Sequence, residues 1–145
     1  MAGLEFLVVG HVTQDLTPQG RRIGGTAAYA AVTAQRLGRQ PAILTRAAAD
    51  IEDEPLLRGI TLRRLPSAVT TTFQNTYHGG KRQQVLHALA GPLSPDDLPT
   101  AWRDASVVLL GPLAQEVAPS LAGQFPDALV GVVPQGWMRG WDEQG

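Results

Sequence analysis

A chain of 145 residues is long enough for one compact domain with a buried core and too short for two ordinary ones. Its 43% hydrophobic and 17% charged residues describe a globular chain, and a net charge of −1 lacks the basic excess of a nucleic-acid-binding module. Cysteine is absent, which removes disulfides, thiolate metal sites and thiol catalysis together.

The first element is the apolar run 4–9 (LEFLVV), ended by Gly10, which reads as a buried parallel strand. Residues 11–15 (HVTQD) follow at its carboxyl end, where open α/β sheets hold their ligands. Asp15 is therefore either a ligand contact or the capping residue of an Asx-turn. Residues 17–22 (TPQGRR) read as a turn.

Gly24 and Gly25 then run directly into the alanine-rich segment 26–37, with Gly38 at its far end. Thr26 is expected to cap this helix, and Gly38 to end it in a left-handed turn. A glycine pair lets the backbone come close to whatever lies in front of it, and the free amides of the helix start can hold oxygen-rich ligands. On the residues alone, a structural strand-to-helix turn remains the competing reading.

Residues 41–45 (PAILT) complete a strand–helix–strand unit with a parallel, right-handed crossover. Residues 52–59 are expected to form a short helix, acidic at its start. The runs 61–65, 70–77 and 82–89 are strand-like, the last two joined as a hairpin through the glycine turn 78–81. Phe73, Asn75 and Tyr77 share one face of their strand. Ser94 and Pro95 open a capped helical turn. The run 107–111 is a further buried strand, 113–125 is expected to be helical in parts with a break at Pro119, and 128–133 is the last strand. A strand followed by a short polar stub leaves a sheet face uncovered, so the chain is expected to stop within a fold.

Most catalytic signatures fail. Gly79, Gly80 and Lys81 resemble the end of a phosphate-binding loop, but Asn75 replaces the required glycine and Arg82 the required Ser/Thr. No G-x-G-x-x-G follows the first strand. His11, His78 and His87 have no metal-ligand spacing and read as surface or packing histidines. Ser67, Ser94, Ser106 and Ser120 lack the nucleophile-elbow context. The amino-terminal residues lack the pattern of a signal peptide and no apolar run approaches a bilayer's thickness, so a cytoplasmic protein without membrane or nucleic-acid partner is expected.

Taken together, the strand, Asp15, the Gly24 and Gly25 helix start, the following strand with Asp50, the Thr-Thr-Thr-Phe stretch ending at Phe73 with its hairpin, and the strand end at Leu110, Gly111 and Pro112 resemble the amino-terminal half of the ribokinase-like (PfkB) carbohydrate kinases. The short linker between Asp15 and Gly24, which leaves little room for a large lid, and the pair Gln115 and Glu116 are similar to the myo-inositol kinase type. The resemblance implies an α/β ribokinase-like fold, with a mostly parallel sheet, covering helices and a β-hairpin region, truncated before the nucleotide-binding half. It implies that residues 1–145 form a single, incomplete substrate-binding domain for a sugar or polyol. Asp15, Gly24, Gly25 and Thr26 are the implied substrate-binding residues, with Tyr29 standing where family members usually carry asparagine, so the substrate contact there is expected to differ.

For the full-length family, ATP and Mg2+ are implied, and a homodimer is compatible with the reading. The family's D-T-x-G-A-G-D signature, which supplies the catalytic base and anion hole, does not occur in this chain, so no catalytic residue is assigned and the chain alone is expected to be inactive. The alternative is a non-catalytic module that binds a small ligand or a protein partner.

Overall fold

The computed structural model describes residues 3–145, so Met1 and Ala2, which begin the segment read for targeting signals, lie outside it. Five strands form a parallel sheet in the order β5-β4-β1-β8-β9: β1 (Phe6–Val9), β4 (Pro41–Ala47), β5 (Thr61–Pro66), β8 (Val107–Leu110) and β9 (Leu129–Val132). All five correspond to runs expected to be strands. Because the sheet is covered on both faces at its centre, its middle strands read as continuous apolar runs rather than alternating ones.

The two faces separate cleanly. Leu7, Val9, Leu44, Val108 and Leu110 point into a core closed by Leu93, Leu98, Val117, Leu121 and Phe125. Val8 and Ile43 point the other way, into a core closed by Ala27, Ala28, Ala31 and Val32 of helix α1 (Thr26–Arg36) and by Ile51, Leu57 and Ile60. The alanines let α1 lie close against the strands. Gly38 ends the helix at φ +78°, its amide bonding Gln35 O while Arg39 N bonds Ala34 O, a Schellman ending as glycine at this position favours.

Three local expectations change. The N-cap of α1 is Gly25, and Thr26 is the first helical residue, with no side-chain cap present. Residues 52–59 make no continuous helix. Two 3-10 turns, Ala49–Asp53 and Pro55–Leu57, flank Glu54, which the following proline holds in an extended conformation at ψ 118°. Residues 113–125 contain no α-helix, only the 3-10 segment Pro119–Gln124, so Pro119 opens the helical piece rather than interrupting one. The cover over that face is therefore mostly irregular chain, tied down by Leu93 N bonding Glu116 O and Ala118 N bonding Leu93 O. Of the three tryptophans, Trp102 and Trp137 pack against this same core, and Trp141 is 40% exposed.

A second, four-stranded sheet stands apart in the order β3-β2-β6-β7. Strands β6 (Thr72–His78) and β7 (Lys81–Ala88) are the expected hairpin. Strands β2 (Thr13–Thr17) and β3 (Gly20–Gly24) form a hairpin where the sequence suggests loop and turn, and β2 pairs in parallel with β6. The short linker between Asp15 and Gly24 is thus part of a sheet that can roof a cavity. Among the described residues no helix is long and apolar enough to cross a membrane.

Candidate functional site

The order of the parallel sheet reverses direction at β1, which has β4 on one side and β8 on the other. Ligands of open α/β sheets bind outside the carboxyl ends of strands at such a switch point. A cavity of about 1190 Å³ opens there, bounded by Gly25, Thr26 and Tyr29 at the start of α1, by Leu113 beyond β8, and by Val133 and Gln135 beyond β9. The second sheet roofs it with the side chains of one face. Asp15 is level with Phe73 in the β2–β6 register, Asn75 lies opposite Gln84 and Tyr77 opposite Arg82 in the β6–β7 register, and Thr13, Asp15, Phe73, Asn75, Gln84 and Arg82 all line the space. From this end the cavity runs on beside α1 over Val107 and Leu109.

Asp15 is the acidic group of the inner end. It is half-buried, lines the cavity, and its carboxylate accepts no hydrogen bond among the described residues, with Oδ2 lying beside Gly24. Removal from water pushes its pKa above the ordinary aspartate value, and the nearby Arg82 guanidinium partly opposes that rise.

Gly24 does not line the cavity. It is buried behind Asp15, at the end of β3 opposite Thr13, and a Cβ there would lie 2.5 Å from Asp15 Oδ2 and 3.2 Å from Thr13 Oγ1. Gly25 has φ +94°, and a Cβ on it would meet His11 O at 2.7 Å and Leu113 Cδ1 at 3.0 Å. Both glycines are required, the first by the carboxylate beside it and the second by its own backbone. With Gly25 as N-cap, the first intrahelical bond is Tyr29 N to Gly25 O. The amides of Thr26 and Ala27 therefore lack helical acceptors, next to the Thr26 hydroxyl, which accepts a 3.3 Å hydrogen bond from Gln135 Nε2. Tyr29 sits at the cavity wall, 59% exposed, its hydroxyl 3.5 Å from Ile23 O. Asp15, Gly25, Thr26 and Tyr29 are thus brought together, and Gly24 sets the position of Asp15.

The floor is held by Glu116 and His11, whose contacts the sequence does not predict. Glu116, 3% exposed, points its carboxylate at three main-chain amides: His11 N at 3.1 Å, Leu113 N at 2.9 Å and Ala114 N at 2.7 Å. This one side chain joins the loop after β1 to the loop after β8, where Gln115 adopts φ +61°. His11 is fully buried. Gly91 O can only accept, so the Nε2–H of His11 donates to it at 2.8 Å, leaving Nδ1 to accept from the Thr71 hydroxyl at 2.7 Å while Thr71 Oγ1 accepts from Ala90 N. Burial pushes the pKa of this imidazole below the ordinary histidine value and so favours the neutral ring, against the opposing Glu116 charge. His11 is therefore a packing histidine and not a surface one.

Arg139, from the segment after β9, stacks over Phe73 with its Cζ 5.1 Å from the ring centroid and donates from Nη1 to Leu113 O at 2.7 Å. Burial lowers its pKa, as does the like charge of Arg82, with Glu116 opposing. The Arg82 and Gln84 positions could have been found by pairing them across the hairpin with Tyr77 and Asn75. Arg139 carries no comparable signal, since it lies in an irregular segment. Among the described residues no cluster of histidine, aspartate or glutamate side chains could hold a metal ion.

No protein-family model and no curated protein matches the chain. Solved structures do. A pyrophosphate-dependent kinase in the ribokinase family, complexed with a pyrophosphate analogue and myo-inositol, aligns at 24% identity and TM-score 0.77 over 96% of this chain and 52% of its own. Fructokinase from Halothermothrix orenii aligns at 17% identity and TM-score 0.69 over 90% and 57% of the two chains. Ribokinase from Arabidopsis thaliana, complexed with ribose and ATP, aligns at 18% identity and TM-score 0.58 over 86% and 49%. The chain spans about half the length of these structures. Its fold is the ribokinase-like fold, over about half the length of those structures.

Proposed function

We propose that this chain is the substrate-binding part of an ATP-dependent carbohydrate or polyol kinase, the enzyme class that transfers a phosphoryl group from ATP to a sugar or polyol hydroxyl. The observation that carries the reading is the Asp15 carboxylate, free of internal hydrogen bonds among the described residues and lining the same cavity as Gly25 and Thr26 at the start of α1. A carboxylate with two free oxygens accepts from two neighbouring hydroxyls, and such charge-assisted bonds are among the stronger ones. Amides at a helix start supply the complementary donors for hydroxyl oxygens. Asn75, Gln84 and Gln135, which can both donate and accept, suit the remaining hydroxyls of a polyol. The likeness in fold to kinases described with myo-inositol, ribose and ATP supports the substrate class.

No group of acidic or histidine side chains among the described residues could hold Mg2+, and none of Asp96, Asp97, Asp127 or Asp142 follows a glycine-rich turn at a helix start. No step of phosphoryl transfer is therefore assigned to these residues. In this reading the base and the nucleotide site belong to the remainder of a full-length kinase, and these 145 residues alone bind substrate without phosphorylating it. Titration calorimetry with a panel of sugars and polyols tests this on the wild type and on Asp15→Asn. One or more polyols should bind the wild type and lose at least about ten-fold in affinity on the variant. Equal heats for both proteins would remove Asp15 from the site. ATP-dependent phosphorylation by the isolated chain would overturn the division of roles.

A further inference from the structure

The roofing sheet joins the rest of the fold at a root where three connecting segments meet. Residues 10–12 lead from β1 into β2, residue 71 is the last before β6, and residues 89–91 follow β7. His11, fully buried, lies among them. Its Nε2–H donates to Gly91 O at 2.8 Å, and its Nδ1 accepts from the Thr71 hydroxyl at 2.7 Å, while Thr71 Oγ1 accepts from Ala90 N at 2.9 Å. The bonds thus leave the main chain at Ala90, pass through Thr71 and the imidazole, and return at Gly91. Thr71 O also accepts from Gln14 N at 2.9 Å, which brings β2 into the same knot. On its other side the loop carrying His11 is fastened to the body of the fold. His11 N donates to Glu116 at 3.1 Å and Val12 N to Thr45 Oγ1 of β4 at 2.8 Å.

Apolar contact holds the roof less closely. Phe73 and Leu86 rest on Leu113 and Ala114, and Ile23 packs beside the core under α1. Much of the cavity-facing roof is polar or charged, with Thr13, Asp15, Asn75, Arg82 and Gln84. Apolar burial is non-directional, whereas hydrogen bonds fix distance and angle. The height of the roof is therefore set by the bonds at its root. Asp15 follows His11 on β2, Asn75 follows Thr71 on β6, and the pairing of β2 with β6 makes the two strands move together.

We propose that His11 and Thr71, neither of which lines the cavity, are positioning residues. The chain of bonds through Ala90, Thr71, His11 and Gly91 holds the roof, and with it Asp15, Asn75 and Gln84, at the distance from Gly25 and Thr26 that a bound polyol requires. The inference rests on the polyol reading for the ligand. It goes beyond that reading by placing control of the site's width in side chains that touch no ligand.

Thr71→Val keeps the shape of the side chain and removes its hydroxyl, leaving Ala90 N and His11 Nδ1 without partners, whereas Thr71→Ser keeps the hydroxyl. Amide hydrogen exchange read by mass spectrometry tests the root with no ligand present. Strands β6 and β7 should exchange as one unit, faster than β1, β4 and β8, and Thr71→Val should speed them about ten-fold or more. Thr71→Ser should stay within about three-fold of the wild type. If the Thr71–His11 bond takes no part in holding the roof, it survives when the roof opens. Then β6 and β7 keep their wild-type rates in Thr71→Val, only strands that exchange through global unfolding speed up, and the proposal is overturned.

Titration calorimetry with myo-inositol reads the effect on the site. Thr71→Val should bind it about ten-fold more weakly, and Thr71→Ser should restore the affinity. Phe125→Leu, which loosens the core on the far face of the parallel sheet, should bind within about two-fold of the wild type. An affinity untouched by Thr71→Val, or lowered equally by Phe125→Leu, overturns the positioning role while the polyol reading stands. If myo-inositol does not bind the wild type, the polyol reading loses this ligand and the exchange rates alone decide the proposal. Should Thr71→Val fail to fold, His11→Gln takes its place in both measurements, since its side chain can donate to Gly91 O but not also accept from Thr71.

Discussion

Asp15 Oδ2 lies 2.5 Å from where a Cβ on Gly24 would be, which means that the carboxylate occupies the space a side chain at residue 24 would need. Any larger residue must push Asp15 out of its place. Gly24→Ala is therefore expected to lower polyol affinity about ten-fold while costing about 1–3 kcal/mol of stability by overpacking. Calorimetry and urea unfolding read the two effects separately. An alanine variant that binds as tightly as wild type would show that the carboxylate has room to relocate without loss.

Glu116 ties three amides from two loops to one buried carboxylate. Removing it leaves three donors in the interior without an acceptor, and each such group costs about 1–3 kcal/mol when unsatisfied. Glu116→Ala should destabilise the chain by about 3 kcal/mol or more, with part of the loss recovered if water enters. Glu116→Gln should cost somewhat less, because one oxygen still accepts while the new NH2 group faces an amide donor. A midpoint unchanged in urea for Glu116→Ala would contradict the role assigned to this side chain.

The parallel sheet was legible because its strands are unbroken apolar runs, and the hairpin 72–88 because Gly79 and Gly80 punctuate two strand-like runs. The β2–β3 hairpin was not, since TQDLT and GRRIG are mostly polar and gain their order from pairing with β6 rather than from local pattern. The same holds within the site. Asp15 and the glycine pair stand out by position after a strand and before a helix. Arg82 and Arg139 meet only through tertiary folding, 57 residues apart in the chain by their numbers (139 minus 82). Glu116 stands out in the sequence only through its pairing with Gln115, and its structural role shows only once the amides that surround it are seen. The sequence puts the cap at Thr26, one residue too late, because Ser/Thr preference outweighs glycine there, whereas the N-cap is Gly25, whose backbone at φ +94° demands glycine.

His11 supplies a pH-dependent element of stability. Its pKa in the folded chain is below the ordinary value near 6.5, with burial as the main cause, the Glu116 charge and the Gly91 hydrogen bond opposing, and Arg46 adding to the fall. The unfolded chain therefore binds more protons than the folded one as pH falls below about 6.5, and stability declines on acidification until the folded pKa is reached. The slope contributed by this group is up to about 1.4 kcal/mol per pH unit. NMR titration of the His11 ring should show it neutral at pH 6.5. A ring already half-protonated there would remove the effect and the tautomer assigned to the Thr71–His11–Gly91 chain.

Asp15 has the opposite displacement, and its effect falls on binding. Burial raises its pKa above the usual 3.8, so the apo chain retains its proton to higher pH than an exposed aspartate would. For stability the sign is that of a raised acid: the folded form is favoured below the unfolded pKa, and that advantage is lost as pH rises through the folded one. A polyol accepted by the ionised carboxylate reverses the balance, because hydroxyl donors stabilise the charged form and draw the pKa down again. Affinity for a polyol should thus fall on acidification, beginning above pH 3.8, and binding in that range should release a proton. Calorimetry in two buffers of different ionisation enthalpy measures the release directly, and Asp15→Asn should abolish it. Proton uptake on binding would mean that the carboxyl donates to the ligand as a neutral acid instead of accepting from two hydroxyls.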